Sequence, residues 1–254
     1  MSEGLRVPYE AAALPVPQAR SVLVLAPHPD DEVFGCGGCA ALYAQAGVPV
    51  QALLLTDGGL WGVPPPGIGI VEARKAEARK AAAVLGCRPP LFGPYPDRGL
   101  KADTELVRII VRQARACGAD VLLAPSPWEV HPDHVATAWA AIDAVAQLGG
   151  ATCLVQYEVG SALQPNTLLD ITPVWPRKRE AMACFASQLA MQGYDRHVEA
   201  LNVFRTYTLP ATVEAAEGLR VATAQEARED PYGLVFRGSR HPVADFIPRP
   251  RKPA

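Results

Sequence analysis

Short apolar runs that alternate with helix-like segments constrain the fold of this chain more than any other feature. The runs cover residues 22–26, 50–55 and 121–124, and they are almost entirely apolar. Continuous apolar runs of this length are typical of strands that are buried on both faces. Because helix-like segments separate the runs, the pattern predicts an α/β fold with a mostly parallel sheet and helices on both faces.

The segments between these runs contain the other predicted elements. Helices are predicted over residues 39–46, 72–85, 104–117, 134–147 and 177–189. Gly47, Gly86 and Gly149 follow three of them, as glycine often does where a helix ends. Asp103 is a candidate N-cap for the third helix. Further strands are predicted at residues 91–92, 152–157 and 168–171.

The length of the chain fits one large domain. It has 254 residues, enough to bury a sizeable core. We predict an N-terminal extension over residues 1–20, one domain over residues 21–229 and a C-terminal tail over residues 230–254. The tail carries Pro248, Pro250 and Pro253 among Arg and Lys residues, so it is expected to be disordered or to lie along the surface.

The balance of charge and apolar residues excludes several classes of protein. Lys and Arg number 24 and Asp and Glu 26, so the net charge of -2 gives no bulk attraction to nucleic acid or anionic membranes. The chain has no run near the ~20 apolar residues of a transmembrane segment, and its first residues lack the order of a signal peptide. These features predict a cytoplasmic protein, in which six cysteines do not imply disulfides.

Three of the five histidines lie in two short clusters, and each cluster follows a predicted strand. Ligands of open α/β sheets bind beyond the carboxyl ends of the strands. His28 and Asp31 are three residues apart, as are His131 and His134, so each pair can share one face of a helical turn. Imidazole and carboxylate suit zinc (Zn2+), and Fe2+, Co2+ or Mn2+ also accept them. Helix capping is the structural alternative, but two such clusters at strand ends favour a metal site.

A second carboxylate stands beside the candidate ligand Asp31. If Asp31 binds the metal, Asp30 remains free to take a proton from a metal-bound water. A structural zinc site is usually closed and rich in cysteine, and it needs no spare carboxylate. The arrangement therefore favours a catalytic metal site over a structural one.

These motifs resemble those of a known enzyme family. Residues 26–32, Ala-Pro-His-Pro-Asp-Asp-Glu, together with His-Pro-Asp-His at 131–134, resemble the LmbE-like, or PIG-L, family of zinc-dependent N-deacetylases. Weaker matches lie in Thr56-Asp57-Gly58, Arg74-x-x-Glu77, Pro96-Asp97, Tyr157-Glu158 and Ser187-Gln188. The resemblance extends from about residue 20 to about residue 210.

The resemblance implies a Rossmann-like sheet and a role for each site residue. His28, Asp31 and His134 would bind zinc, and Asp30 would be the general base for the zinc-bound water. His131 would stabilise the oxyanion and protonate the leaving amine. The last candidate, Asp133, would orient His131.

The resemblance also implies a substrate class. Arg74 and Asp97 would bind substrate hydroxyls or phosphate, and the substrate would be an N-acetylated amino sugar within a glycoconjugate, glycolipid or natural product. The partners would be such small molecules or glycoconjugates, and the resemblance allows a homo-oligomer. Two departures concern these contacts: residues 128–130 are Trp-Glu-Val where some members place a Tyr, and the turn at residues 56–59 lacks a Glu after glycine.

Other functions stay open from the sequence. One is an amidase of the same family that acts on a non-sugar or thiol-cofactor amide, and another is a non-catalytic, metal-dependent sugar-binding protein. Cys36 and Cys39 form a Cys-x-x-Cys motif that could carry redox chemistry. The Gly-rich segment around them does not match a dinucleotide-binding fingerprint.

Overall fold

An eight-stranded sheet forms the centre of the fold in the computed structural model, which describes residues 11–12 and 17–236. The strands are β1 (Ala11–Ala12), β2 (Val22–Ala26), β3 (Val50–Thr56), β4 (Leu91–Tyr95), β5 (Val121–Pro125), β6 (Cys153–Tyr157), β7 (Thr167–Asp170) and β8 (Ala216–Thr223). Their order across the sheet is β1-β7-β8-β6-β5-β2-β3-β4. Neighbouring strands from β4 to β6 pair in parallel, whereas β8 is antiparallel to both β6 and β7. The prediction of a mostly parallel sheet is confirmed.

Helices cover both faces of this sheet. They are α1 (Asp31–Phe34), α2 (Gly37–Gln45), α3 (Ile70–Leu85), α4 (Thr104–Cys117), α5 (Pro132–Leu148), α6 (Trp175–Met182), α7 (Ala186–Leu189), α8 (Tyr194–Phe204), α9 (Ala224–Glu229) and α10 (Pro231–Phe236). Alternate residues of β2 enter two separate apolar cores, one shared with α1–α3 and α6 and the other with α4, α5 and α9. Burial on both faces explains why β2 is a continuous apolar run.

The sheet reverses its direction of growth between β2 and β5. From β2 the chain adds β3 and β4 on one side, then returns to place β5 and β6 on the other. A crevice forms beyond the carboxyl ends of two such neighbours, and it is the usual ligand site of this architecture. The two histidine clusters follow β2 and β5, so the topology brings them to this crevice.

The structure differs from the predicted elements at its C-terminal half. The helix predicted over residues 177–189 is interrupted between α6 and α7, because Phe185 leaves helical geometry and packs in the core against Phe34. The strand β8 was not predicted, since Glu217, Gly218 and Arg220 interrupt its apolar pattern. A 3-10 turn at Thr172–Val174 precedes α6.

The predicted terminal segments contribute elements to the fold. The strand β1 lies within residues 1–20 and pairs with β7, and α10 lies within the tail predicted over residues 230–254. Residues 237–254, expected to be disordered or surface-bound, lie outside the described residues, and the domain boundaries stay predictions. Within the described ranges, no helix has both the length and the apolar character needed to cross a bilayer.

A buried ion pair connects the strand β8 with the helices α2, α6 and α8. Nζ of Lys178 on α6 donates to Oε1 of Glu217 on β8 at 2.8 Å and to Oδ1 of Asn202 on α8 at 2.9 Å. The Glu217 carboxylate also accepts from the N–H groups of Gly38 and Cys39, in the first turn of α2. The carboxylate thus satisfies the free donors of that helix end.

Replacing Lys178 with Met should cost about 3–5 kcal/mol of unfolding free energy, because it leaves the charge of Glu217 buried without a cation. Urea unfolding measures this loss. Arg179→Met is the matched control: Arg179 is next to Lys178, but its side chain is 57% exposed and pairs with Glu199. The control should cost less than about 1 kcal/mol. Equal losses in the two variants would contradict this assignment to Lys178.

Candidate active site

Three side chains from the two histidine clusters converge at the crevice. Nδ1 of His28 lies 3.2 Å from Oδ2 of Asp31, and Nε2 of His134 lies 3.2 Å from the same oxygen. The two ring nitrogens are 3.3 Å apart. A tetrahedral zinc ion with bonds of about 2.0–2.1 Å separates its ligand atoms by about 3.3–3.4 Å. The three atoms therefore have the spacing and the chemistry of a zinc-ligand triad.

The opposite nitrogen of His28 faces carboxylates. Nε2 lies 3.1 Å from Oδ2 of Asp133 and 3.3 Å from Oδ1 of Asp97. The Asp133 carboxylate also accepts from the backbone N–H groups of Arg98 and Leu100. A carboxylate at Nε2 holds the proton there and leaves the Nδ1 lone pair for a metal.

The Asp133 carboxylate contacts a different histidine from the one that it was predicted to orient. Its carboxylate faces His28, and only its backbone N–H reaches His131, donating to Nδ1 at 3.2 Å. His131 is accordingly the N-cap of α5. Helix capping, the structural alternative for the clusters, therefore applies to His131. Because Nδ1 of His131 accepts this hydrogen bond, its Nε2 can carry the ring proton.

Two wider groups of side chains could also hold an ion. Ligand atoms of His28, His131 and His134 lie within 4.8 Å of one another, as do those of His28, Asp97, His131 and Asp133. The second group lies on the Nε2 side of His28, where the Asp133 oxygens already accept three hydrogen bonds. The ligand atoms on the Nδ1 side of His28 are therefore the freer ones to hold a metal ion.

Asp30 has a strained backbone and a perturbed carboxyl. Its φ of 137° lies in a region that favours glycine, a cost of roughly 1–3 kcal/mol that the surroundings must offset. Its N–H donates to Oε2 of Glu32 at 2.9 Å, and its Oδ2 lies 3.1 Å from Nη2 of Arg74. Burial raises the pKa of Asp30 to about 7, against the opposing charge of Arg74. A base that titrates near neutral pH can both accept and return a proton.

The two expected substrate-binding residues are buried against the protein instead. Arg74 donates to the carbonyl oxygens of Pro29 at 2.7 Å and Gly58 at 2.9 Å, beside its ion pair with Asp30. Asp97 lies against His28, with its other oxygen accepting from the N–H of Leu60 at 3.3 Å. In both cases the geometry favours a role in holding the site over direct contact with substrate.

Arg74→Lys should lower kcat by about 10²-fold while KM and bound zinc stay close to wild type. Lysine keeps the charge but loses the planar fork that holds Pro29, Gly58 and Asp30, and a misplaced base costs rate. Steady-state kinetics with metal analysis measures this split. Arg79→Lys, on the same helix against the Phe92 ring, is the control and should change neither constant. A raised KM with unchanged kcat would make Arg74 a substrate-binding residue instead.

His131 stands beside the triad without belonging to it. Its ring centroid is 4.6 Å from that of His28 and 5.3 Å from that of His134. Burial, together with those neighbouring rings when charged, lowers the pKa of His131. A neutral ring that carries its proton on Nε2 is a hydrogen-bond donor toward the crevice.

Comparisons with known proteins agree with this geometry. The pattern of the PIG-L family, described as GlcNAc-PI de-N-acetylase, matches residues 23–145, which include both histidine clusters. The chain is 30% identical over 186 residues to the probable N-acetyl-alpha-D-glucosaminyl L-malate deacetylase 2 of Bacillus anthracis, covering 67% of this chain and 82% of that protein. This chain belongs to the PIG-L family. The resemblance drawn from its motifs is confirmed.

Other relatives of this chain carry names that state different activities. The structure of N,N'-diacetylchitobiose deacetylase from Pyrococcus horikoshii matches with a TM-score of 0.74 and 25% identity, over 85% of this chain and 88% of that one. The 4-oxalmesaconate hydratase of Pseudomonas putida is 29% identical over 194 residues, 66% of this chain and 74% of that protein. Deacetylation and hydration are therefore both named among relatives of this chain.

The Cys-x-x-Cys motif takes no part in the PIG-L site. Cys36 and Cys39 are buried free thiols, and burial raises the pKa of both well above its usual value. A reactive thiol needs a lowered pKa and access to solvent. The redox hypothesis is not supported by this environment, and the two cysteines pack in the apolar core.

One residue that contacts the triad was not predicted from the sequence. The buried carboxylate of Glu129 lies 3.3 Å from Nδ1 of His134. In the sequence, residues 128–130 stand out only because they lack the Tyr that some family members have there. An acidic residue between Trp128 and Val130, just before a ligand cluster, is the signal that could have found it.

Proposed function

We propose that this chain is a zinc-dependent hydrolase that removes the N-acetyl group from an N-acetylated amino sugar within a glycoconjugate, glycolipid or natural product. The observation that carries the proposal is the triad of His28, Asp31 and His134 with a further carboxylate, Asp30, held beside it. Support comes from relatives named as deacetylases of N-acetylglucosaminyl malate and 2'-N-acetylparomamine.

The chemistry of the donor set fits zinc. Nδ1 of His28, Oδ2 of Asp31 and Nε2 of His134 would hold the ion, and both histidines have carboxylates facing their opposite nitrogens. A zinc ion held by three protein ligands acts as a Lewis acid and lowers the pKa of a bound water to about 7.

Asp30 is the proposed general base. Its carboxylate takes the proton of the attacking water, whose oxygen forms a bond to the carbonyl carbon of the amide. Arg74 holds this carboxylate in place, and the near-neutral pKa of Asp30 lets it release the proton in the later step. Positioned proton transfer of this kind contributes about 10²–10⁴-fold to rate.

His131 is the proposed donor to the reacting amide. Its Nδ1 accepts a hydrogen bond from the backbone N–H of Asp133, so the ring proton lies on Nε2. This Nε2–H stabilises the developing oxyanion. When the carbon–nitrogen bond breaks, the amine nitrogen takes a proton from Nε2 of His131, and the proton that Asp30 took from the water then replaces it. The products are acetate and the free amino sugar.

A panel of N-acetylhexosamines tests the proposal. The zinc-loaded full chain is incubated with free, phosphorylated, lipid-linked and glycoside-linked forms, and free amine and acetate are measured. We expect equal release of the two from at least one class. Zinc binding without release from any of them would favour the non-catalytic sugar-binding protein. Release only from an N-acetylated thiol-cofactor precursor would favour the related amidase.

Hydration is the second candidate function, because the relative from Pseudomonas putida is named as a hydratase. A metal site with a neighbouring base can also direct water to a carbon–carbon double bond. An unsaturated dicarboxylic acid is therefore added to the panel. Loss of its ultraviolet absorbance with no amine release from any N-acetyl compound would select this function.

Three further expectations accompany the proposed function. The substrate is a small molecule or glycoconjugate, the chain works in the cytoplasm, and the family resemblance allows a homo-oligomer. The location follows from the sequence alone and the assembly from the family resemblance. Cell fractionation and light scattering of the purified chain measure these two properties.

A further inference from the structure

Glu129 connects one proposed metal ligand to a neighbouring loop. Its Oε2 lies 3.3 Å from Nδ1 of His134. The same carboxylate accepts from three consecutive backbone N–H groups that follow β6. The donors are Val159 at 2.8 Å, Gly160 at 3.0 and 3.1 Å to the two oxygens, and Ser161 at 3.3 Å.

The backbone donors determine how this carboxylate lies. Consecutive N–H groups that point to one spot form a concave anion site, and here they replace the water that a buried Glu129 has lost. They bind both oxygens, so the carboxylate has little freedom to rotate. Its Oε2 is therefore held toward His134 by the fold itself, whether or not a metal is bound.

Nδ1 of His134 needs this acceptor. The atom is buried and makes no well-aligned hydrogen bond within the part of the chain that the structure describes. A neutral imidazole carries one ring proton. With the proton on Nδ1 it faces the Glu129 carboxylate, and the Nε2 lone pair then faces Asp31 and His28. The opposite tautomer would place a lone pair against a carboxylate and a proton on the ligand atom.

We infer that Glu129 is a positioning residue that selects the Nδ1–H tautomer of His134 and thereby sets the metal affinity of the site. The inference rests on the proposed function only for the identity of the metal ligands. Asp133 does the same for His28, so each imidazole has its own carboxylate, and both carboxylates come from the short segment of residues 129–133.

Glu129→Gln tests the inference through zinc affinity. The loop donors favour the amide oxygen of glutamine, which leaves its NH₂ group toward Nδ1 of His134. A donor at this position favours the Nε2–H tautomer, which blocks ligation. Competition with a chromophoric chelator should show zinc bound about 10–100-fold more weakly than by the wild-type chain. An affinity equal to wild type would overturn the inference.

Glu158→Gln is the matched control. Glu158 is a buried carboxylate that directly precedes the backbone donors of residues 159–161. It bonds to Arg205 and to the N–H of Leu163 and contacts no proposed ligand. This variant should bind zinc as the wild type does, even if its stability falls. An equal loss of affinity in both variants would make the effect of Glu129 merely structural and overturn the inference.

A measurement on the wild-type chain decides the matter even if Glu129→Gln does not fold. Long-range ¹H–¹⁵N spectra of the zinc-saturated protein report which nitrogen of His134 carries the proton. We expect a protonated Nδ1 and a metal-bound Nε2, and the reverse would overturn the inference. None of these readouts uses deacetylation, so an inactive but zinc-binding chain would contradict only the proposed function.

Discussion

Replacing Asp30 with Asn should lower kcat by about 10²–10⁴-fold, while the purified chain keeps its zinc. An amide cannot take the proton of the attacking water, so the variant loses the base and little else. The Asp30 carboxylate contacts Arg74 and no member of the triad, so the metal ligands keep their positions. Asn also tolerates a positive φ better than most residues, so the strained turn should persist.

Steady-state kinetics and metal analysis measure the effect of Asp30→Asn on the best substrate of the panel. The control is the same change at Asp103, which caps α4 by accepting from the N–H groups of Glu105 and Leu106. Asn caps a helix as well as Asp does, so Asp103→Asn should keep full activity. A near-wild-type rate for Asp30→Asn would mean that another residue is the base.

Replacing Asp31 with Ala should remove zinc and activity together. Its Oδ2 is the atom that both imidazoles approach to 3.2 Å, and it also accepts from the N–H of His28 at 2.9 Å. Without it the site retains two of its three protein ligands. We expect bound zinc to fall from about one per chain to a small fraction of that, and turnover to fall below that of Asp30→Asn.

Metal analysis after dialysis, followed by the amine-release assay, measures the effect of Asp31→Ala. Glu32→Gln is the control, because Glu32 is the next buried carboxylate and contacts the N–H of Asp30 instead of the triad. The control should retain its zinc. If Asp31→Ala bound zinc like the wild type, the metal would lie on the other side of His28, among Asp97, His131 and Asp133.

The parallel strands were the most predictable part of the fold. The strands β2, β3 and β5 begin at the predicted residues and end within one residue of the prediction, because burial on both faces makes each a continuous apolar run. The antiparallel part of the sheet was less predictable. The strand β8 contains Glu217, whose charge is matched by Lys178 from a distant helix, so its burial has no local signal.

The histidine motifs predicted which residues converge but not how each is held. Two clusters at strand ends predicted a metal site, and the family resemblance then implied His28, Asp31 and His134 as its ligands. Arg74 and Asp97 were expected to face a substrate, and in the structure their side chains lie against Asp30 and His28 respectively. A charged side chain on a helix or in a turn looks the same in sequence whichever way it points.

The sequence by itself determined what lies within one turn of chain. A strand end followed by His28 and Asp31, and another followed by His131 and His134, keeps the members of each pair close to one another because only two residues separate them. Only the tertiary structure brought the pairs together, since His28 and His134 are 106 residues apart and meet because β2 and β5 are neighbours. It also decided which nitrogen of each imidazole faces the triad, because the carboxylates of Asp133 and Glu129 are aimed by backbone N–H groups from separate loops.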